Sequence, residues 1–538
     1  MILNLRYKIC PLVSAALLLI FTASSCKKNE YVGKDPYADA KPALELKVNN
    51  TASTPIEGEV GSVVSLSGTG FLKYKENLSV LFNGEKSEVI EITDTQVKVK
   101  VPQWASTGIV TFMVGSQLLP GPNFRVNGAV STDKTFASYV GANGRIYSIN
   151  ALPDGRMLIV GDFNDYNNVG LRAGYSKLAI ISPLGVLDKS FKPGKGVPSG
   201  TLFHSALLND GKILIGGQFN TYNNKRNKIG NIAKISLTGV LDSTIYTYMD
   251  RGGEPKKDTV PTFNAFFSGG VNKMMVQPDG NVIVIGSFKY YMSKTYYPNQ
   301  KDTIITDSVL VNNVARITPN GALDKTYNFN TPLNKANDGF NGSIRDAYMQ
   351  SDGKMVAVGN FSTYNGAPAN KIARINLDGS LDNTFNTGSG PSGQIYSIRP
   401  YVNGKFIISG EFISFNGKPI AKAAILNPDG SVDESFNTGI GADGSINNAT
   451  RLGNGKILLT GDFQKFNGIT RYGFAIVEPS GQLSPNFNTI GGFGFVPNIF
   501  ISPVNDVINV DNGEASVLVG GFNSLNLIQN TRLVKITY

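Results

Sequence analysis

Aromatic side chains crowd two stretches of this sequence, YTYMDRGGEPKKDTVPTFNAFFSGG at 246–270 and KYYMSKTYYPNQKDTIITDSVLVNN at 289–313. Together they hold Tyr246, Tyr248, Phe263, Phe266, Phe267, Tyr290, Tyr291, Tyr296 and Tyr297, and the nearby segment 328–343 adds Phe329 and Phe340. An aromatic face stacks on the apolar face of a sugar ring, and Asn, Asp and Lys beside it can bond the ring hydroxyls. Reversible capture of a saccharide is the chemistry this composition suits. Tyr290, Tyr291, Tyr296, Tyr297, Phe263, Phe266, Phe267 and Phe340 are therefore the candidate ligand-binding residues. The competing reading is that these rings pack long loops onto a scaffold, because aromatic bulk is commonly buried.

Catalytic chemistry finds less to work with. The chain has one histidine, His204 in TLFHSALL, and a Ser-His-Asp arrangement would depend on it without a nucleophile elbow. No Cys/His spacing suggests zinc, and no phosphate-binding or dinucleotide-binding loop occurs. Loops rich in Asp and Asn leave calcium open, although EF-hand spacing is missing. Paired carboxylates for glycoside cleavage also stay open, since sequence does not reveal which acids meet. Asp162, Glu411 and Asp462 occupy one recurring slot that elsewhere holds Gln218, Ser287, Asn360 and Gly521. The expectation is a non-enzyme with no cofactor and no metal, with a glycosidase or lyase as an alternative.

A repeated unit positions these residues. DGRMLIVGDF at 154–163 recurs as DGKILIGGQF at 210–219, DGNVIVIGSF at 279–288, DGKMVAVGNF at 352–361, NGKFIISGEF at 403–412 and NGKILLTGDF at 454–463. A seventh copy, NGEASVLVGGF at 512–522, is one residue longer. Asp-Gly and Asn-Gly supply the positive φ angles of a tight hairpin. The strand that follows is apolar throughout, as a strand covered on both faces must be. The glycine near its end predicts a bulge or a close backbone approach. An F-x-x-[YF]-N-like loop, a third strand and a second turn follow. Then comes a phrase such as LDNTF at 381–385, whose Asp can bond a backbone N–H two residues on. Four strands per unit is the arithmetic of a propeller blade.

The last unit stops at its third strand, RLVKITY, while an orphan fourth-strand phrase, TDKTF at 132–136, precedes the first hairpin. Supplying the missing strand from the start of the domain would close a ring and remove its free edges. The expectation is an all-β protein, with a seven-bladed β-propeller over 132–538 closed by strand exchange. These phrases resemble the delta-sixty family of β-propeller repeats, which implies a fold and little about function. Ser484-Pro485 departs from the Leu-Asp phrase and predicts a looser corner in the sixth unit. The first and third turns of each blade share one face. Loops between strands two and three, and between blades, share the other, and they carry the length variation that binding surfaces use.

Residues 42–127 form a separate reading. GSVVSLSGTGF at 61–71, the Asn83-Gly84 hairpin signal, VKVKVP at 97–102 and TGIVTFMVG at 107–115 suit an immunoglobulin-like sandwich of short strands. They also resemble the IPT/TIG family, which implies a spacer module between an anchor and a working domain. The chain's one tryptophan, Trp104, falls here and reads as a half-buried loop residue, with a carbohydrate platform as the alternative.

The first 25 residues read as a leader: Arg6 and Lys8, an apolar run from Leu12 to Phe21 too short to span a membrane comfortably, then small residues before Cys26. They resemble a bacterial lipoprotein signal that leaves Cys26 lipidated, with 26–41 as a flexible tether. An ordinary secretory signal is the alternative. With Cys10 lost, Cys26 stands alone and no intramolecular disulfide is possible. The net charge of +10 is compatible with an acidic polysaccharide, but no basic run or nucleic-acid motif accompanies it, and a solvated basic surface explains it as well. An anchor, a spacer and a propeller together resemble surface glycan-binding lipoproteins of polysaccharide-utilisation systems. By analogy the expected location is the outer membrane, exposed at the cell surface. The expected partner is a polysaccharide or oligosaccharide. A scaffold role, gripping an outer-membrane transporter partner, is the alternative.

Overall fold

Alternating apolar strands and asparagine- or glycine-led turns build an all-β molecule, described here from a computed structural model over residues 41–137, 140–170, 174–226, 229–250, 252–297, 304–493 and 504–538. Cys26 and the rest of residues 1–40 lie outside the described residues. Val48–Tyr538 is one compact unit.

Its N-terminal part is a sandwich. One sheet places Leu78–Phe82 between Gly108–Val114 and Glu85–Lys86, and Gln117–Asn127 extends it to Glu57–Glu59. The facing sheet sets Val63–Thr69 beside Gln96–Lys100 and then Glu88–Ile92. Period-two alternation turns Val64, Leu66, Val97 and Val99 inward against Val80, Phe82, Phe112 and Phe124, all buried. Asn83 and Gly84 both take positive φ, 46° and 92°, as their hairpin requires.

The remainder is a β-propeller. Seven sheets among the described residues repeat one order: an inner strand, a central strand, a third strand. The inner strands are Ile146–Ala151, Thr201–Leu207, Val271–Val276, Ser343–Met349, Ile395–Pro400, Ser445–Arg451 and Val504–Val510. Each lies against the next in chain order, and Val504–Val510 lies against Ile146–Ala151. Central strands such as Met157–Gly161 and Phe406–Gly410 are buried at every residue, because a neighbouring blade covers each face. Ser131–Thr132 runs antiparallel to Leu533–Thr537, with Ser131 opposite Thr537 and Thr132 opposite Ile536.

The fourth strand is shorter than its phrase predicts. In the first six sheets it shrinks to one bridge onto the third strand, as at Leu187 to Ile181 and Leu381 to Ile375. The Asp of the phrase ends the pairing by turning its carboxylate onto the backbone: Asp382 Oδ1 accepts from the Thr384 amide at 2.9 Å and Asp324 Oδ1 from the Thr326 amide at 2.8 Å. The same carboxylates take the cation after the hairpin turn, Lys354 on Asp382 at 2.7 Å and Lys405 on Asp433 at 2.7 Å. At the sixth corner Ser484 stands in place of the Asp. There Lys456 turns to Glu478 at 2.6 Å, so this corner keeps an ionic tie.

The sandwich docks on the sixth blade. The Thr107 amide donates to the Thr489 carbonyl at 2.8 Å, and the Ala129 amide to Asn486 at 2.9 Å. Arg471, fully buried, donates from Nη1 to the Trp104 carbonyl at 3.1 Å, and Trp104 packs on the sixth-blade core.

Candidate functional site: the mouth of the channel

Each inner strand carries one extra residue close to its start. The register between inner and central strands slips at Tyr147, Phe203, Asn272, Arg345, Tyr396, Asn447 and Asn505, the residues skipped in the seven pairings. A bulge turns its extra residue away from the ladder and re-aims the side chain. Opposite stands the glycine of the repeat. On Gly161, Gly217, Gly286, Gly359, Gly410 and Gly461 a Cβ would come within 2.0–2.2 Å of a carbonyl oxygen of the inner-strand segment. The glycine is therefore the space that admits the bulge.

All seven extra residues line one cavity of about 580 Å³ at the inner end of the blades. It opens where the loops between blades enter, opposite the short Asp-Gly turns. Three of the seven are aromatic, three are Asn, and one is Arg. Tyr147 meets Phe203 edge-on with ring centroids 5.5 Å apart, and the Arg145 guanidinium lies 5.5 Å over the Tyr147 ring. Arg145 Nε donates to Asn505 Oδ1 at 3.0 Å. The acids of the recurring slot hold these residues in place: Tyr396 donates its hydroxyl to Glu411 at 2.8 Å, and Asn447 donates to Asp462 at 3.4 Å. Burial, then the Glu411 bond, pushes the Tyr396 phenol up to about 12, so it stays a neutral donor.

Beneath this rim lies a charged layer. Lys273 Nζ reaches Asp346 at 2.5 Å, Arg399 reaches Asp346 at 2.9 Å, and its other nitrogen reaches Asp506 at 3.0 Å. The Ile398 amide donates to Asp346 at 3.0 Å and the Ile149 amide to Asp506 at 3.2 Å. Burial would raise the Asp346 carboxyl, but Lys273 and Arg399 hold it below the usual range. His204 lies in the cavity wall with Nδ1 buried and unpartnered. Burial, then Lys273 and Arg399, holds it down to about 3 against the pull of Asp346. An imidazole in that state is a poor proton acceptor near neutrality.

The residues singled out from sequence sit elsewhere, and five of the eight are core. Phe263, Phe266, Phe267, Tyr291 and Phe340 are buried, the position that the competing reading, rings packing long loops onto the scaffold, gives them. Tyr291 and Phe340 are repeat residues that the long insertions disguise. Tyr291 donates its hydroxyl to the Gly321 carbonyl at 2.8 Å, as Tyr166 does to Gly185 at 2.7 Å and Tyr364 to Gly379 at 2.7 Å. Phe340 packs against Phe361 and Tyr364, centroids 4.6 Å away. Phe267 packs tilted against Phe288 and edge-on against Tyr291 beneath the insertion. The two insertions form hairpins rather than loops, Ser243–Met249 with Pro255–Pro261 and Tyr290–Tyr296 with Ile304–Leu310, because TIYTYM and TIITDSVL carry β-branched alternation. Tyr296 is half-buried against Tyr246 at 5.7 Å, and only Tyr290 and Tyr297 of the eight are exposed, at 39% and 43%.

The mouth residues escaped sequence reasoning, although a positional signal existed. Each stands seven places before the Asp or Asn of its turn, from Tyr147 before Asp154 to Asn505 before Asn512.

Comparison with known proteins agrees with this architecture. Residues 50–136 match the IPT/TIG domain model. Residues 152–172, 208–244, 350–385 and 403–436 match the family described as a domain of unknown function (DUF5122) beta-propeller. No curated protein matches the chain. Among solved structures, the WD40 beta propeller domain of Doa1 is 15% identical with a TM-score of 0.42, covering 76% of this chain and 97% of that one. An auxiliary nutrient binding protein from Bacteroides ovatus is 13% identical with a TM-score of 0.35, covering 92% of this chain and 99% of that one. Another from Bacteroides thetaiotaomicron is 12% identical with a TM-score of 0.32, covering 91% and 97%.

Proposed function

We propose that this protein is a non-catalytic lipoprotein, anchored through Cys26 in the outer membrane and displayed at the cell surface, that binds a polysaccharide on the long-loop face of its propeller. The observation that carries the reading is the mouth itself. Tyr147, Phe203 and Tyr396 offer ring faces, and Asn272, Asn447, Asn505 and Arg345 stand among them as bonding partners for hydroxyls. We read the ring as seven blades closed by the pairing of Ser131–Thr132 with Leu533–Thr537, a rigid frame for those residues. The sandwich serves as the arm between anchor and propeller.

A panel of neutral and acidic polysaccharides, screened against the full chain at low and high salt, tests this. Binding lost in Tyr147→Ala with Tyr396→Ala, in a folded protein, supports the mouth as the site. Loss at high salt marks an acidic glycan. A Cys26→Ala chain that leaves the membrane fraction supports the anchor.

A second reading, a scaffold for an outer-membrane transporter partner, is favoured by the exposed Ile245, Met249, Tyr290, Tyr297 and Ile305 on or beside the third-blade hairpins. Co-purification of one partner, lost when these residues become Ser, with no glycan bound, selects it.

A further inference from the structure

The charged layer beneath the mouth crosses the bore. Lys273, Asp346, Arg399 and Asp506 belong to the third, fourth, fifth and seventh inner strands, and the Ile149 amide ties Asp506 to the first. A second cavity, of about 470 Å³, opens at the opposite end of the inner strands. The two cavities share only Arg399 and Asp506 among their lining residues, so this ion pair stands between them. Every charge in the layer has a partner, and breaking a buried pair strands the remaining charge. A ligand entering the mouth therefore meets a layer of paired charges that resists opening.

We infer that the mouth is a blind cup that holds the end of a saccharide chain, its terminal one or two sugars, rather than an interior stretch. This rests on the polysaccharide reading above. An interior stretch needs an open way past the protein on both sides. Here rim residues come from all seven blades and the Arg399–Asp506 pair stands between the two cavities; with that pair as the floor, only a terminus descends among Tyr147, Phe203 and Tyr396. Its outward-pointing remainder passes over the long-loop face.

The test uses the full chain with polygalacturonate, xylan and a mixed-linkage β-glucan, each as intact polymer and as its own partial hydrolysate. Chain-end capture predicts that binding strength per unit mass rises in proportion to the number of chain ends. It also predicts that Tyr396→Ala and Tyr147→Ala, each folded by circular dichroism, weaken hydrolysate binding by about tenfold. Equal strength per unit mass for polymer and hydrolysate, or polymer bound while hydrolysate is not, overturns the chain-end inference and leaves the polysaccharide reading standing. No binding of any probe in either form overturns both.

Discussion

A side chain on Gly161 would collide with Arg145: its Cβ would stand 2.0 Å from the Arg145 carbonyl oxygen. That oxygen accepts from the Asp162 amide at 2.9 Å, so it has no freedom to withdraw. The contact recurs from blade to blade, as at Gly359 with Ser343 and Gly410 with Gln394. It explains why the repeat keeps glycine at this place, and it links a backbone requirement to the side chains at the mouth.

Gly359→Ala is expected to cost about 1–3 kcal/mol, the range for forcing an atom into a packed site. It should also disturb Arg345, the extra residue beside it. Thermal melting and ligand titration read the two effects. An unchanged melting temperature would mean that the bulge does not depend on the glycine.

Tyr291→Phe separates packing from binding in the aromatic insertion. Its hydroxyl is buried against the Gly321 carbonyl, so removal is expected to cost about 0.5–1.5 kcal/mol. Tyr297→Ala, at an exposed position, should fall within about 0.5 kcal/mol of the parent. Denaturant unfolding compares them, and a larger loss in Tyr297→Ala would reverse these roles.

Acid should loosen the blade corners. Burial alone would raise the Asp382 carboxyl, but hydrogen bonds from Lys354, Thr384 and Arg374 outweigh it and hold the group well below the usual range. Asp433 is lowered in the same way against burial by Lys405 and Ser435. A depressed folded value contributes stability that is fully present above the unfolded value of about 3.9, and that stability disappears as pH falls through the folded one. Melting temperature is therefore expected to hold from neutrality to about pH 5 and to drop below about pH 4. Lys354→Met with Lys405→Met should flatten that drop, and an identical pH profile would sink the assignment.

Arg471 is expected to hold the sandwich on the sixth blade. Burial drives its guanidinium down to about 10 against the pull of Glu85, and Nη1 bonds the Trp104 carbonyl. Because Trp104 is the chain's only tryptophan and packs on the sixth-blade core beside Arg471, its fluorescence reports on the docked sandwich. Arg471→Ala should shift that emission to longer wavelength and open the segment near residue 128 to protease. Emission unchanged from the parent would mean that the contact survives without the arginine.

Turns, strand period and repeat length were legible in the sequence because each is a local property. Asp-Gly and Asn-Gly dictate positive φ wherever they stand, and an apolar run of five or six residues is a covered strand in any blade. The Asp of the Leu-Asp phrase bonds two residues on, so its turn needs no partner from elsewhere. Burial of the insertion aromatics was not legible, since Tyr291 and Tyr290 are adjacent letters and only the hairpin they enter decides which faces Gly321 and which faces water. The mouth was hidden for a related reason. Its seven positions share a spacing but no residue type, and Tyr147, Asn272 and Arg345 lie far apart along the chain. They become one surface only when bulges turn them out of their ladders and the inner strands lie side by side, so the sequence determined the blades and the tertiary arrangement decided the site.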